Sequence, residues 1–222
     1  MSLVLVAIED RGDDGTVARV TVNNPEQHNA LGNAGKRELA EAIEAVSADE
    51  RLRVIVLTGA GGRSFIGGAN ITEMATFERH HAMEGPGLTH RVCDAIRRAP
   101  VPVIARVNGW CLGAGLEIAA SCDMRAAVDT ARFGMPEVLF GLPSGMEACL
   151  LPQLIGWGKT RELKENHNVE QASHRASFPV LGPSGIGRCG TRICRFGGCR
   201  IGGGQQERNF GRPDASSQHD TL

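Results

Sequence analysis

Residues 108–123 read NGWCLGAGLEIAASCD and follow an apolar run, VPVIARV, at residues 101–107. The pattern predicts a buried strand, a glycine-rich turn and a helix that begins at about Ala114, with Glu117 in its first turn. The backbone N–H groups of Ala114 and Gly115 would then be unshielded donors at a helix N-terminus. One interpretation is an oxyanion site with a carboxylate beside it. The other is a turn whose glycines serve close packing alone.

An earlier glycine-rich loop has the same design. The run RVIVLTG at residues 53–59 predicts a buried strand, and residues 59–70, GAGGRSFIGGAN, contain five glycines. The loop has neither the Gly-Lys-Ser/Thr nor the Gly-x-Gly-x-x-Gly pattern of a phosphate cradle. Gly68 and Ala69 precede a predicted helix, so each loop could supply one N–H donor to a single oxygen, as an oxyanion hole requires. Two unrelated packing loops are the alternative.

The rest of the chain predicts alternating strands and helices. The pattern first indicates a β-hairpin (residues 3–8 and 17–22) and a helix over 33–48 with Leu39, Ile43 and Val46 on one face. A second helix is predicted from Ile71 to about Arg98. MRAAV and ARFGM (124–128 and 131–135) then indicate a second hairpin, and a short helix that begins at Pro136 carries Glu137.

The composition excludes several classes of function. The 222 residues carry a formal net charge of −1 with scattered arginines, so no nucleic-acid-binding surface is predicted. No apolar run approaches the roughly 20 residues of a membrane span, and the first residues predict a strand rather than a signal peptide. Seven cysteines without framework spacing predict reduced thiols in a cytoplasmic protein. No metal site is predicted, because the histidines (including His80, His81 and His90) and Cys189, Cys194 and Cys199 lack zinc-site spacing.

Several motifs together resemble those of the crotonase superfamily, specifically its enoyl-CoA hydratases and isomerases. They occur in the family's order within about residues 1–163, and several independent motifs at compatible spacings are far more specific than one. The matching stretches are NNPEQHNAL, VIVLTGAGGRSFIGGANI, PVIARVNGWCLGAGLEIAASCD, ARFGMPEVLFGLPSG and LPQLIGWGKTREL.

The resemblance implies an α/β fold, a crotonase-like spiral of repeated ββα units, normally assembled as a homotrimer or a hexamer. It implies that the N–H groups of Ala69 and Ala114 bind the acyl thioester oxygen, and that Glu117 and Glu137 are the two catalytic glutamates. No cofactor is implied beyond the CoA that the substrate carries. Asn70 departs from the family's usual Asp. The residues that would line the CoA and substrate path are His28, Asn29, Ala30, Gly68, Asn70, Ile71, Thr72 and Gly113.

The chemistry of hydration fits the two carboxylates. Water addition to an α,β-unsaturated thioester builds negative charge on the carbonyl oxygen, and two fixed donors would stabilise it. We expect Glu117 to activate water, because the helix dipole should keep it ionised. We expect Glu137 to protonate the α-carbon, its pKa raised by burial among Met135, Val138 and Phe140. Both glutamates together favour a hydratase over an isomerase, since family isomerases often keep only the second.

Residues 164–222 depart from the family and form a predicted second region, rich in Gly, Arg and Cys and without helical periodicity. This composition predicts a poorly ordered tail in place of the family's C-terminal helices. Our hypothesis is that it is an out-of-frame translation of those helices. Three functions stay open at this point: an active enoyl-CoA hydratase, a catalytically impaired acyl-CoA-binding protein that lacks the usual trimer interface, and an isomerase or other enolate-forming crotonase.

Overall fold

The computed structural model describes residues 2–76, 84–165 and 170–171, all within one compact unit, Met1–Gly185. These residues form nine strands and five α-helices, joined by short single-turn helices. The strands are β1 (Val4–Asp10), β2 (Thr16–Val22), β3 (Leu52–Gly59), β4 (Ser64–Ile66), β5 (Val103–Val107), β6 (Trp110–Leu112), β7 (Met124–Ala127), β8 (Arg132–Gly134) and β9 (Glu170–Gln171), and the helices are α1 (Asn33–Val46), α2 (Ile71–Met74), α3 (Glu84–Arg98), α4 (Ala114–Ser121) and α5 (Leu151–Glu165).

The strands form two sheets. The larger has the order β1-β2-β3-β5-β7, and the smaller has the order β4-β6-β8-β9. In the larger sheet only β1 and β2 are antiparallel, which confirms the predicted N-terminal hairpin. Parallel strands carry apolar residues on both faces because helices or a second sheet cover them, and β3 and β5 have that character.

Consecutive strands after β2 divide between the two sheets, which generates the repeated ββα units of the α/β fold. Strand β3 is followed by β4, β5 by β6 and β7 by β8, and each pair places one strand in each sheet. The predicted second hairpin is therefore wrong: β7 pairs with β5, whereas β8 pairs in parallel with β6. The short strands β4 and β6 lie inside stretches that the glycines had marked as turns.

The predicted helices are partly confirmed. Helix α1 buries Leu39, Ile43 and Val46, the predicted apolar face. The single helix predicted from Ile71 to about Arg98 is wrong, because α2 ends at Met74 and a turn follows it. His80 and His81 lie outside the described residues.

Two buried polar side chains hold the chain around α4 in place. Asn108 links the end of β5 to the loop after β3, since its Nδ2 donates to the carbonyls of Gly59 (3.0 Å) and Gly61 (2.7 Å). At the other end of α4, Arg125 Nη1 donates to the carbonyls of Ala119 (3.0 Å) and Cys122 (2.9 Å). These bonds satisfy carbonyls that a helix C-terminus leaves unpaired.

The last described elements lie where the resemblance was expected to end. Helix α5 has a kink at Gly156 (φ 77°), and β9 pairs antiparallel with β8, a contact that the sequence did not indicate. The prediction of a poorly ordered tail falls otherwise on residues outside the described part of the chain, and it stays a prediction. Across the described ranges, every helix is too short or too polar to cross a membrane.

Candidate active site

The two glycine-rich loops lie side by side. Strands β4 and β6 pair in parallel, so the loops that follow them leave the same edge of the smaller sheet. Gly68 (φ +112°) is so near the second loop that a Cβ there would lie 3.3 Å from the carbonyl oxygen of Leu112. A Cβ on Gly115 would overlap the carbonyl of Ile66, so the start of α4 is packed directly on the end of β4. Glycine is required at both positions.

Two backbone donors come from these loops. Among the described residues, the N–H groups of Ala69 and Ala114 have no hydrogen-bond acceptor. Their neighbours are paired: the N–H of Gly67 donates to His28, and that of Gly113 donates to Gly134. Both alanines are half-buried. Unpaired N–H groups away from bulk water are unfavourable unless a ligand accepts from them.

Glu117 is a buried carboxylate in the first turn of α4, only 3% exposed. Its Oε1 accepts a hydrogen bond of 3.1 Å from the backbone N–H of Ala148, and Gly145 packs against both carboxylate oxygens. Burial, and after it the charge of Glu137, raises the pKa of Glu117 to about 7, although the Ala148 N–H opposes the shift. The helix dipole was expected to keep Glu117 ionised, but desolvation outweighs it, so the carboxylate titrates near neutral pH.

Glu137 lies in the short helical turn Pro136–Phe140, as predicted, and is close to the N-terminus of α4. A Cβ on Gly113 would lie 2.7 Å from its Oε1. Its Oε2 is buried and has no hydrogen-bond partner among the described residues. Burial raises the pKa of Glu137 as expected, against smaller opposing effects from its own backbone N–H and from Lys164.

The apolar surroundings predicted for Glu137 are only partly present. Met135 is buried, but Val138 and Phe140 are about half exposed, at 49% and 53%. Sequence adjacency misled here, because successive residues of a short helical turn point in different directions, and only some of them face the core.

The predicted CoA-side residues gather around the first glycine loop. Leu31 and Ala69 form a parallel bridge between the loop and the segment after β2. His28 and Asn29 are both left-handed (φ 55° and 56°), and Asn29 is fully buried, where its Nδ2 donates to the carbonyls of Ala60 (3.0 Å) and Ser64 (2.8 Å). Asn29 therefore connects two loops of the site.

The remaining predicted residues of this group lie at or near the surface. Asn70 caps α2 by accepting from the N–H of Glu73 at 3.1 Å. Ala30 is half-buried, and Ile71 and Thr72 are exposed. Since Asp caps a helix N-terminus as well as Asn does, the departure from the family's Asp at Asn70 keeps this local structure.

Sequence reasoning missed two buried charges close to Glu117. Lys36 is 5% exposed, donates from Nζ to the carbonyl of Gly85 at 3.0 Å, and adds a positive charge near Glu117. Burial lowers the pKa of Lys36. Its signal was a lysine on the apolar face of α1, three residues before Leu39. Glu147, 5% exposed, lies between the motifs ARFGMPEVLFGLPSG and LPQLIGWGKTREL, so no motif drew attention to it.

A cavity of about 570 Å³ adjoins the two glutamates. It shares Gly145 and Ala148 with the surroundings of Glu117 and Val138 with the turn of Glu137. Its lining combines apolar, polar and basic residues: Val138, Leu142, Ser144, Gly145, Ala148, Cys149, Pro152, Trp157, Thr160, Arg161 and Lys164. Within the described ranges, no group of three His, Cys, Asp or Glu side chains is arranged to hold a metal ion.

Comparison with known proteins finds relatives of one family. The family model described as enoyl-CoA hydratase/isomerase matches residues 12–169. The chain is 39% identical to the short-chain-enoyl-CoA hydratase of Clostridium acetobutylicum over 151 residues, which cover 68% of this chain and 58% of that protein. It is 37% identical to the crotonyl-CoA hydratase of Syntrophomonas wolfei over 157 residues, which cover 70% of this chain and 60% of that protein. The chain thus spans less than two thirds of these relatives.

Solved structures show the same fold. A crystal structure of an enoyl-CoA hydratase/carnithine racemase from Magnetospirillum magneticum matches with a TM-score of 0.75 at 31% identity, covering 82% of this chain and 68% of that one. The enoyl-CoA hydratase from Bacillus anthracis matches with a TM-score of 0.73 at 27% identity, covering 80% of this chain and 69% of that one.

Proposed function

Because the chain belongs to the enoyl-CoA hydratase/isomerase family, we propose that it is an enoyl-CoA hydratase, which adds water to a trans-2-enoyl-CoA. The single observation that supports this choice is the meeting of two carboxylates, buried Glu117 and half-buried Glu137, at the N-terminus of α4. Hydration needs a group that removes a proton from water and a group that delivers one to carbon. The proposal requires no cofactor beyond the CoA carried by the substrate.

In the proposed reaction the thioester oxygen accepts hydrogen bonds from the N–H groups of Ala69 and Ala114. Ionised Glu117 removes a proton from water while the water oxygen bonds to the β-carbon, and the electrons of the double bond move to the thioester oxygen as an enolate. Protonated Glu137 then gives its proton to the α-carbon as the carbonyl re-forms. Both glutamates lie on one side of the substrate in this arrangement, so H and OH add to the same face.

The electrostatics of the site support the role of Glu117 as the base, whereas the role of Glu137 as the acid rests on its buried Oε2 beside the N-terminus of α4. A pKa of about 7 makes Glu117 an effective base near neutral pH, since a general base works best when its pKa is near the working pH. The buried Oε2 of Glu137 has no partner in the described structure, so a proton there is available to a substrate carbon. The two backbone donors would each contribute about 3 kcal/mol to the stability of the enolate, by comparison with other oxyanion holes.

The deciding experiment is hydration of crotonyl-CoA by the purified 222-residue chain, followed as the loss of the absorbance of the conjugated thioester. We expect turnover that Glu137→Gln abolishes. A folded chain without turnover would contradict the proposal and favour the acyl-CoA-binding alternative.

A second variant separates hydratase from isomerase. An isomerase moves one proton between two carbons, for which Glu137 alone would suffice, since its Oε2 has no hydrogen-bond partner among the described residues. The test is to assay Glu117→Gln with crotonyl-CoA and with a 3-enoyl-CoA. Loss of hydration is expected from the proposed role of Glu117, whereas normal hydration in this variant would contradict that role. A chain that isomerises the 3-enoyl-CoA without hydrating crotonyl-CoA would be an isomerase.

A further inference from the structure

Glu147 is a buried carboxylate that the proposed reaction does not use. Its side chain is 6% exposed, and its Oε1 accepts a hydrogen bond of 3.0 Å from Nη1 of Arg97. Nδ1 of His90 lies 2.8 Å from the same oxygen. A buried carboxylate is expensive to desolvate, so a site that keeps one must hold it with well-placed donors.

The backbone next to Glu147 touches the catalytic base. The following residue, Ala148, donates its N–H to Oε1 of Glu117, and Gly145 packs on both oxygens of the same carboxylate. Residues 145–148 thus form one wall of the Glu117 site. The Ala148 N–H is the one backbone donor to Glu117 among the described residues.

The partners of Glu147 come from a rigid element. His90 and Arg97 are seven residues apart on α3, which is two helical turns, so they lie on the same face. That helix is anchored by buried Val92, Cys93 and Ile96. By contrast, residues 145–148 begin a single-turn helix, Met146–Leu150, whose short backbone ladder cannot fix its own position.

We propose that Glu147 is a positioning residue, which through Arg97 and His90 holds the Ala148 N–H against Glu117. This inference rests on the proposed hydratase function for its catalytic consequence, but not for its geometry. Ionisable side chains of several elements face this part of the site. Lys36 of α1, Glu137 of the turn Pro136–Phe140 and Glu147 face Glu117, while Arg97 and His90 of α3 face Glu147, with the Cys93 thiol nearby.

Kinetics of matched variants test the catalytic consequence. We expect Glu147→Ala and Arg97→Met to lower kcat about 10- to 100-fold with KM changed by less than about threefold, because a misplaced base slows chemistry more than binding. Glu147→Gln should recover kcat to within about threefold of the unmodified chain, because its amide oxygen can still accept from Arg97. The control is Arg91→Met. Arg91 lies on α3, as Arg97 does, and forms an exposed ion pair with Glu44 of α1, so its loss should leave kcat within about twofold of the unmodified chain.

An NMR measurement tests the geometry without activity. The amide proton of Ala148 should change its chemical shift as Glu117 titrates, and Glu117→Gln should remove that change. We expect Glu147→Ala and Arg97→Met to uncouple the Ala148 shift from the titration, and Arg91→Met to preserve it. The dispersion of the remaining amide signals shows that each variant is folded. If Glu147→Ala does not fold, Arg97→Met decides by the same criterion.

The outcomes separate the two proposals. An inactive unmodified chain with a coupled Ala148 amide would contradict the hydratase function and leave the positioning role supported. An active chain in which Glu147→Ala and Arg97→Met keep both full kcat and the coupled amide would overturn the positioning role. Equal loss of kcat in Arg91→Met and Arg97→Met would also overturn it, since the effect would then be general to α3.

Discussion

The backbone N–H of Ala148 donates a hydrogen bond of 3.1 Å to Oε1 of Glu117, a residue 31 positions earlier in the chain. The bond joins the first turn of α4 to the short helix before α5, so the carboxylate proposed as the base is held by two different ββα units. The same carboxylate is crowded by Gly145 and faces the charges of Glu137, Glu147 and Lys36.

The first prediction concerns the pH dependence of hydration. Because the pKa of Glu117 is raised to about 7 and the base must be ionised, kcat/KM should fall below about pH 7, by about tenfold per pH unit. An ordinary glutamate, with a pKa of 4.5, would keep the rate constant down to about pH 5. The measurement is the crotonyl-CoA hydration rate from pH 5 to 9. A flat profile between pH 5 and 7 would exclude Glu117 as the titrating base.

The second prediction concerns stability. The pKa of Glu117 is higher in the folded state than in the unfolded state, so its ionisation destabilises the fold. The free energy of unfolding should therefore decrease as pH rises from 4.5 through about 7. Glu117→Gln removes the ionisation and should therefore be more stable than the unmodified chain at pH 8 by about 3 kcal/mol, and about equally stable at pH 4.5. Urea unfolding at both pH values measures the difference. A stability difference that does not change with pH would count against the shifted pKa.

The third prediction concerns the packing of Gly145. A Cβ at this position would lie 2.5 Å from both carboxylate oxygens of Glu117, so Gly145→Ala must displace the base or the turn. We expect kcat to fall by about 100-fold, since an ångström of misplacement can have that effect. The matched control is Gly158→Ala in α5, where nothing lies within 4 Å of the new Cβ. Equal activity of the two variants would contradict the close contact.

The fourth prediction concerns Lys36. Its positive charge lowers the pKa of Glu117, so Lys36→Met should raise that pKa and move the acidic limb of the rate profile to higher pH. The same variant should be at least as stable as the unmodified chain, because methionine fills the buried volume without the desolvation of an ammonium group. Lys159→Met, which removes a lysine paired with Glu162 on α5, is the control. A shift of the acidic limb to lower pH would contradict the conclusion that Lys36 lowers the pKa of Glu117.

Much of the local structure was predictable because it depends on short-range patterns. The apolar runs before the two glycine loops predicted β3 and β5, and the loops predicted the start of α4 with Glu117 in its first turn. Close approach of the backbone requires glycine there, and clustered glycines can be recognised in a sequence. The family resemblance, confirmed by the comparisons, also followed from such motifs. The roles of the individual site residues stay predictions.

Other features depend on contacts between distant residues, which a local pattern does not reveal. MRAAV and ARFGM read as a hairpin, yet β7 and β8 join different sheets, because strand pairing is decided by which neighbours are available across the fold. The close approach of Gly113 and Glu137, and that of Glu117 and residues 145–148, bring segments together that are far apart in the chain.

The sequence by itself determined that two glycine loops precede helices, that Glu117 and Glu137 occupy helical first turns, and that an α/β fold of the crotonase type results. Only the tertiary structure decided the ionisation of Glu117, because desolvation by the surrounding chain and the charge of Glu137 outweigh the local helix dipole. It also decided that Lys36 and Glu147 are buried beside that carboxylate. Electrostatic effects of this kind arise from burial and distance in three dimensions, and residue order does not encode either of them locally.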